Sequence, residues 1–474
     1  MKTQTALGIA VLTLCAIVAA TTPKAQAGPA NRRASSEPPP NYPINLDGFG
    51  APLPAVASSI PDLSTFATGQ LNFKEIEELP QLGPLFNGTT CTGCHSQPAT
   101  GGGGLFINEI RVRNNTDPGP VHIFAVDNML RNGAQLQGGT PIFASGVHAE
   151  PLGCQITVPG CQLSACQQEE AMKTTFNTDL PTCDPTSTNF ASGSDCVAGR
   201  AALATLGDGL VEAVSDEALI QLAQNEPQSV RGTVKMVTEN FLHTAHVGRF
   251  GWKDDHAFLR AFSGDAYLNE MGITNPDNPT DTSDCAIGVT QYGITLEDTG
   301  IEDQTGPDGR ADIDRFTDFM RALAPPPTIP QNWSAIRGKA LFSEVGCVGC
   351  HAPSLTTASN PASFIPPSTG GTRMSSTVNQ ALAQQTFHPY GDFLLHNMGA
   401  LGDGITSGAA GPMMMRTAPL WGLRAKSIFL HDGRAADLPT AISLHDGQGR
   451  AAAQAFHSLS PGQQQDVVNF LDTL

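Results

Sequence analysis

Two pentapeptides contain the residues with the clearest chemistry. Both read Cys-x-x-Cys-His, and they comprise Cys91, Cys94 and His95 in the first half and Cys347, Cys350 and His351 in the second. In this pattern the cysteines form thioethers to the vinyl groups of a haem, and the histidine ligates its iron from one side. A zinc or disulfide motif beside an incidental histidine is the alternative. Two copies in one chain favour two covalently bound c-type haems.

Residues 1–27 have the features of a cleaved secretory signal. Lys2 provides a positive start, residues 6–20 are mostly apolar, and residues 25–27 read Ala-Gln-Ala, a small-residue cleavage site. The apolar run is too short to span a bilayer comfortably, so we expect no integral membrane span after cleavage. Lipidation at Cys15, inside this run, is the alternative. We expect a periplasmic or otherwise exported protein, which agrees with haem attachment outside the cytoplasm.

The charge and the remaining cysteines fit an exported protein. The formal net charge of −18 argues against nucleic acid and anionic membranes as partners. Six cysteines lie outside the signal and the two motifs: Cys154, Cys161, Cys166, Cys183, Cys196 and Cys285. In an oxidising compartment they can form up to three disulfides. We therefore expect a disulfide-stapled insertion over residues 154–196, with a redox-active pair as the alternative.

Helical periodicity and breakers predict a mainly α protein. After a flexible leader at 28–60, we expect an N-terminal haem domain over 61–324 and a C-terminal cytochrome c domain over 331–474. The proline run at 325–327 separates them. Each half places a helix before its Cys-x-x-Cys-His motif and a closing helix at its end. This order predicts two cytochrome c-like helical haem domains with long loops and a few short strands.

Individual elements follow from the same patterns. Helices are predicted over 216–223 with Ser215 as N-cap, and over 254–268, 313–323, 333–345 and 463–474. Strands are predicted near 106–112 and 121–126. We expect the helix before each haem motif to pack across the closing helix of the same half.

Several longer strings resemble a known family. The strings that resemble bacterial di-haem cytochrome c peroxidases and the related MauG enzymes are RTAPLWGLR at 416–424, FLHDGRA at 429–435, Ala441-Ile442 and His445. The strings similar to a subgroup called di-haem or thiol oxidoreductase-like proteins are RFGWK at 249–253, MGIT at 271–274 and PYGDFLLHNMG at 389–399. The resemblance covers most of residues 75–474 except the cysteine-rich insertion.

The resemblance implies a division of labour between two haems. In such peroxidases the C-terminal haem is six-coordinate and transfers electrons, and the N-terminal haem meets peroxide. It therefore implies a haem-dependent oxidoreductase of peroxidase type, served by a small soluble electron donor such as a cytochrome or cupredoxin. A calcium ion between the domains also occurs in the family. Ile428 replaces the proline whose carbonyl would bind it, which puts calcium in doubt.

For the C-terminal haem, the resemblance implies the second axial ligand. The family places it fourteen residues after the histidine of the His-Asp-Gly string, and fourteen after His431 is His445. Bis-histidine ligation should give a lower reduction potential than His/Met. Met398 and residues 413–415, a methionine run, are the alternatives, although such runs often only fill apolar space. His431 itself we expect to pack near the haem edges.

For the N-terminal haem, His95 is the proximal ligand and the other side needs a proton-transfer group. A carboxylate in a dry pocket can move a proton between the two peroxide oxygens. In the family a Glu-Met pair lies about twenty residues beyond a tryptophan between the haems. Here Glu270 follows Trp252 by eighteen residues. Glu270 is therefore the candidate acid–base group, with Glu212 as the alternative.

Other interpretations of these residues stay open. Glu270 could be a surface residue at a helix end. Trp252 could mediate electron or hole transfer, or only pack. His243 or His246 could close the sixth position of the first haem in a resting state. A non-catalytic di-haem electron carrier and an oxygen-activating di-haem oxygenase are the competing functions.

Overall fold

The computed structural model describes most of the two halves around the motifs. It covers residues 48–77, 85–86, 88–105, 107–113, 125–126, 129–130, 133–136, 140–143, 183–186, 196–280, 301–367 and 374–474. The predicted signal, most of the leader, and most of the cysteine-rich insertion lie outside these ranges. The disulfides of that insertion therefore stay a prediction.

Helices predominate in the described part, with short strands between them. The α-helices are α1 Pro54–Ala57, α2 Ile60–Lys74, α3 Asp208–Glu212, α4 Asp216–Asn225, α5 Leu259–Met271, α6 Asp312–Ala322, α7 Trp333–Glu344, α8 Ser376–Leu382, α9 Leu438–Ser443, α10 Arg450–Ser458 and α11 Pro461–Leu471. The strands are β1 Leu85–Phe86, β2 Ile107–Arg113, β3 Ala125–Val126, β4 Met129–Leu130, β5 Gly133–Leu136, β6 Thr140–Phe143, β7 Cys196–Ala201, β8 Met236–Val237, β9 His246–Val247, β10 Leu355–Thr356, β11 Thr386–Phe387, β12 Leu395–Asn397 and β13 Met414–Arg416.

The strands form small sheets rather than one layer. Among the described residues there are five: β1-β5-β6, β3-β4-β2-β7, β8-β9, β10-β11 and β12-β13. The pair β2-β7 is antiparallel and places Glu109 opposite Arg200. The fold is therefore mixed, with each haem motif beginning on a short 3₁₀ turn and small sheets in the connections.

Each haem motif follows a helix that packs across a later one. Helix α2 crosses α6, and α7 crosses α11. At both crossings a glycine allows close approach: a Cβ on Gly69 would lie 2.9 Å from the Cβ of Phe319, and one on Gly338 would lie 1.8 Å from the carbonyl oxygen of Asp466. The predicted repeat of helix, motif and closing helix is thus present in the fold.

The helix ends follow ordinary capping chemistry. Asn332 accepts a hydrogen bond from the amide of Ala335 and begins α7. Ser460 and Gln463 form a capping box at α11, with Pro461 in its first turn. Ser215 caps α4 as predicted. Helix α5 begins at Leu259 rather than at 254, because residues 251–258 form turns that place side chains at a cavity.

The apolar core forms two principal clusters. The larger contains residues of α2, α3, α5 and α6 together with Leu382, Phe387 and Trp421 from the second half. The smaller is built around Phe342 of α7 and Phe470 of α11. The first cluster crosses the proline run at 325–327, so part of the second half is packed on the first.

The end of the expected leader belongs to this core. Phe49, Leu53 and Val56 are buried, and the amide of Leu53 donates a 2.8 Å hydrogen bond to the carbonyl of Ala322. Composition predicts a flexible leader here. Composition does not show that these apolar side chains are spaced so that they face the core. Among the described residues no helix is both long and apolar enough to cross a membrane.

Candidate haem sites

The second motif opens onto a cavity of about 370 Å³. Cys347 follows α7 through Gly346, whose φ of 93° lies in the left-handed region that glycine tolerates. Cys347, Cys350 and His351 line this C-terminal cavity, and His445 at the end of α9 lines it as well. His445, the second ligand that the family resemblance implies, thus lies at the same cavity as the motif.

The two histidines are arranged as a pair of axial ligands would be. Their ring centroids lie 6.4 Å apart. Two imidazole–metal bonds of about 2 Å each, with the ring radii added, span about this distance. His351 Nδ1 donates to the carbonyl of Tyr390 at 2.9 Å, and His445 Nδ1 donates to that of Ala441 at 2.8 Å. Both Nε2 atoms can therefore face a metal. Hydrogen bonds to the other ring nitrogen orient histidine ligands in the same way in other metal sites.

Burial keeps these imidazoles neutral, which metal ligation requires. Burial and the neighbouring His445 lower the pKa of His351 to about 4. Burial also lowers the pKa of His445. The alternative ligand Met398 lines the same cavity, and so does Met415 of the methionine run. The donor set fits a haem.

His396 is a further residue of the C-terminal cavity that the sequence analysis did not single out. Its Nε2 donates to Asp392 at 2.9 Å, and its Nδ1 lies 3.4 Å from the sulfur of Cys350. Burial opposes a charge on His396, but the hydrogen bond with Asp392 outweighs it and raises the pKa to about 11. The signal was present in the string PYGDFLLHNMG, where Asp392 and His396 are four residues apart.

The first motif lines a second, smaller cavity of about 140 Å³. Cys91, Cys94 and His95 lie on its wall, together with Glu270 near the end of α5. His95 Nδ1 is buried and has no hydrogen-bond partner in the described part of the chain. Burial lowers the pKa of His95, so the ring is neutral at physiological pH. A buried imidazole beside the side chains of Cys91 and Cys94 fits attachment of a haem.

Trp252 lies between the two cavities and lines both of them. Its Nε1 donates to the carbonyl of Ala201 at 2.9 Å. The ring of His431 meets it edge-on, with centroids 6.0 Å apart. The amide of Ala201 in turn donates to the carbonyl of His431 at 2.7 Å. Trp252 is thus held by contacts from β7 and from the His-Asp-Gly loop.

Charged residues absent from the sequence analysis surround the N-terminal cavity. His256 lies between Glu239 and Asp265, whose carboxylate oxygens are 3.3 and 3.4 Å from its ring nitrogens. Burial lowers the pKa of His256, but Asp265 and Glu239 outweigh it and raise the pKa to about 10. Arg111 and Arg200 also line this cavity. They come from β2 and β7, whose pairing local sequence patterns do not reveal.

The structure places three alternative candidates elsewhere. Glu212 is fully buried and accepts hydrogen bonds from Arg321 at 2.6 and 3.0 Å, so it is a structural ion pair rather than a cavity group. His246 lies 2.9 Å from Asp216 and 3.0 Å from Thr244, and both of its ring nitrogens are engaged. His243 is exposed. None of the three lines the N-terminal cavity.

Comparison with known proteins agrees with this class of site. The family model described as "Di-haem oxidoreductase, putative peroxidase" matches residues 177–474. The chain therefore belongs to the di-haem oxidoreductase family, whose cofactor is haem and whose chemistry is redox. No curated protein matches the chain.

Solved structures are only distantly similar. Hydrazine synthase of Kuenenia stuttgartiensis, pressurised with xenon, is 18% identical over 42% of this chain, with a TM-score of 0.24. The chain covers 65% of that protein's length. A MauG-like protein associated with microbial copper homeostasis is 12% identical, with a TM-score of 0.27, over 56% of this chain and 91% of the other. These likenesses carry no argument about substrate or partner.

Proposed function

We propose that the protein is an exported di-haem c-type oxidoreductase that reduces peroxide. The observation that carries the proposal is the inequality of the two cavities. In the C-terminal cavity the ring centroids of His351 and His445 lie 6.4 Å apart, which leaves room for a metal between them. In the N-terminal cavity His95 is joined by the carboxylate Glu270. The second histidine there, His256, has carboxylate oxygens 3.3 and 3.4 Å from its two ring nitrogens.

The cofactors are two covalently bound haems, one on each motif. When bound, the haem on His95 would supply an open iron position for peroxide, and the haem on His351 and His445 would supply electrons. Cys91 and Cys94 would hold the first haem, and the corresponding cysteines of the second motif would hold the other. Attachment to both motifs also supports export, because such haems are attached outside the cytoplasm.

The side chains would divide the work at the N-terminal cavity. Glu270 would take a proton from one oxygen of peroxide and return it to the other, which would leave as water. Trp252 provides an aromatic contact between the two cavities for electron transfer. A small soluble cytochrome or cupredoxin would be the electron donor. The docking site of such a donor stays a prediction. The boundary at 325–330 between the two expected haem domains also stays a prediction.

Two substitutions test the assignment in the purified holoprotein. His445→Ala should convert one low-spin haem to high spin in the EPR spectrum, because an axial ligand is lost. His457→Ala removes an exposed histidine of α10 and should leave the spectrum unchanged. An unaltered low-spin signal in His445→Ala would exclude His445 as the ligand, and Met398 would be tested next.

Glu270→Gln tests the acid–base group. It should lower peroxide turnover by about 10²–10⁴-fold with the haem spectra intact, since general acid–base groups contribute about that much. The matched control is Glu217→Gln, at an exposed glutamate of α4. Undiminished turnover in Glu270→Gln contradicts the role. Two low-spin haems with no peroxide turnover would support a non-catalytic carrier instead, and a stable iron–oxygen complex would support an oxygenase.

A further inference from the structure

Tyr267 lies on the wall of the N-terminal cavity, one helical turn before Glu270 in α5. Its side chain is 4% exposed, and its ring meets that of Phe316 edge-on with centroids 5.1 Å apart. Its hydroxyl donates a 2.8 Å hydrogen bond to Oε1 of Glu77. A buried phenol that faces a haem cavity and is hydrogen-bonded to a carboxylate has the parts for coupled loss of an electron and a proton.

Glu77 is placed to receive that proton. It lies three residues after the end of α2, and its amide donates to the carbonyl of Thr89 at 2.8 Å, which fixes it beside the first motif. Burial raises the pKa of Glu77 to about 7, and the carboxylates of Glu75, Asp312 and Asp303 act in the same direction. The hydrogen bond from Tyr267 opposes them. At neutral pH, therefore, a substantial fraction of Glu77 is the carboxylate that can accept a proton.

Tyr267 cannot lose its proton alone. Burial and the charge of Glu77 hold the pKa of its phenol well above the usual value. Oxidation makes a phenol strongly acidic, so the proton leaves when the electron leaves. The distance to Glu77 permits that transfer within one existing hydrogen bond.

We propose that Tyr267 is a one-electron donor to the haem centre of the N-terminal cavity and that Glu77 accepts its proton. The O–H bond of Tyr267 breaks, a bond forms between the proton and Oε1 of Glu77, and a neutral tyrosyl radical remains. The oxidant is hydrogen peroxide, and its reduction to two molecules of water consumes two electrons and two protons. Tyr267 supplies one electron, the haem centre would supply the other, and solvent supplies the two protons. Two electrons from the soluble donor, with the proton returned by Glu77, then restore the phenol and the haem centre. This inference rests on the proposed reaction with peroxide.

The test is freeze-quench EPR of the holoprotein after one equivalent of hydrogen peroxide. A radical signal should appear, and it should narrow when the protein is produced with ring-deuterated tyrosine. Tyr267→Phe, which keeps the ring that packs on Phe316, should abolish the signal. Tyr42→Phe is the control, since Tyr42 lies in the expected leader, outside the sequence strings assigned to either candidate site, and it should keep the signal.

Glu77 makes the radical yield dependent on pH. For a group with a pKa of about 7, the carboxylate fraction falls roughly ten-fold between pH 8 and pH 6. The radical yield should fall by about the same factor. Glu77→Gln should lower the yield at pH 8 and remove the dependence, even if Tyr267→Phe does not fold.

The outcomes separate the inference from the function on which it rests. Peroxide consumption without a tyrosyl radical, or a signal that persists in Tyr267→Phe, overturns the role of Tyr267 and leaves the peroxidase proposal intact. A wild-type holoprotein that neither consumes peroxide nor changes its haem spectrum overturns both.

Discussion

Replacing Glu212 with glutamine should destabilise the protein strongly. Glu212 is fully buried, and its carboxylate accepts hydrogen bonds from Arg321 at 2.6 and 3.0 Å and from the amide of Leu259 at 2.9 Å. The substitution preserves volume but removes the negative charge, which leaves the guanidinium of Arg321 buried and uncompensated. Breaking a buried ion pair from one side costs about 3–5 kcal/mol. The same loss is expected here.

The assay is urea unfolding of the holoprotein, followed by far-UV circular dichroism. Urea slopes are about 1–3 kcal/mol per molar for small proteins and larger for a chain of this length, so the midpoint should fall by roughly 1 M. Replacing both Glu212 and Arg321, by glutamine and methionine, should recover part of the loss because no charge is left unpaired. Glu217→Gln, on the exposed face of α4, should change the free energy of unfolding by less than about 0.5 kcal/mol.

The result also separates the two carboxylates considered for catalysis. A change below about 1 kcal/mol in Glu212→Gln would refute the structural assignment. So would intact stability combined with loss of peroxide turnover, because Glu212 would then act on the substrate rather than on Arg321.

Three further predictions concern helix packing, electron transfer and the protonation of His256. Gly338→Ala should lower the free energy of unfolding by about 1–3 kcal/mol, because its Cβ would lie 1.8 Å from the carbonyl of Asp466. The control Gly462→Ala has open space around it in α11 and should not lower this free energy. Equal effects of the two substitutions would contradict the close crossing of α7 and α11. In Trp252→Leu, a donor should still reduce the C-terminal haem at the wild-type rate, but the N-terminal haem should be reduced more slowly, as measured by stopped-flow absorbance. An unchanged rate would mean that Trp252 only packs between the cavities. Lowering the pH from 8 to 6 should leave His256 charged, since its pKa of about 10 lies above this range, so its imidazole NMR shifts should stay constant.

Several helices and the cap Ser215 could be predicted because their signals are local. Ser215 stands directly before an apolar periodic segment, and α7 leads into its motif. Ser460 caps α11 in the same way but is not among the predicted caps. The position of His445 at the C-terminal cavity followed from a family spacing. These features depend on residues close together in sequence or on a fixed motif.

The rest of the candidate sites depends on distant pairing. Glu212 differs from Glu270 because Arg321 and the amide of Leu259, both distant in sequence, bind its carboxylate in the core. Arg200 reaches the N-terminal cavity because β7 pairs with β2 across a long insertion. Periodicity within a segment contains no information about such partners.

Tyr267 shows what a local rule could have added. It stands three residues before Glu270, so a helix places both on neighbouring surface. Asking which side chains accompany a candidate acid on its helical face would have found it. Its partner Glu77, far away in sequence, could not have been found in this way.

The central claim is that the protein holds two haems with unequal iron environments. Cyanide titration of the oxidised holoprotein, with haem content measured as the pyridine haemochrome and spin state by EPR, tests it most directly. The account predicts two haems per chain, one low-spin signal that cyanide does not alter, and one cyanide bound per chain at the other haem. A single haem, or two irons that bind cyanide alike, would contradict it.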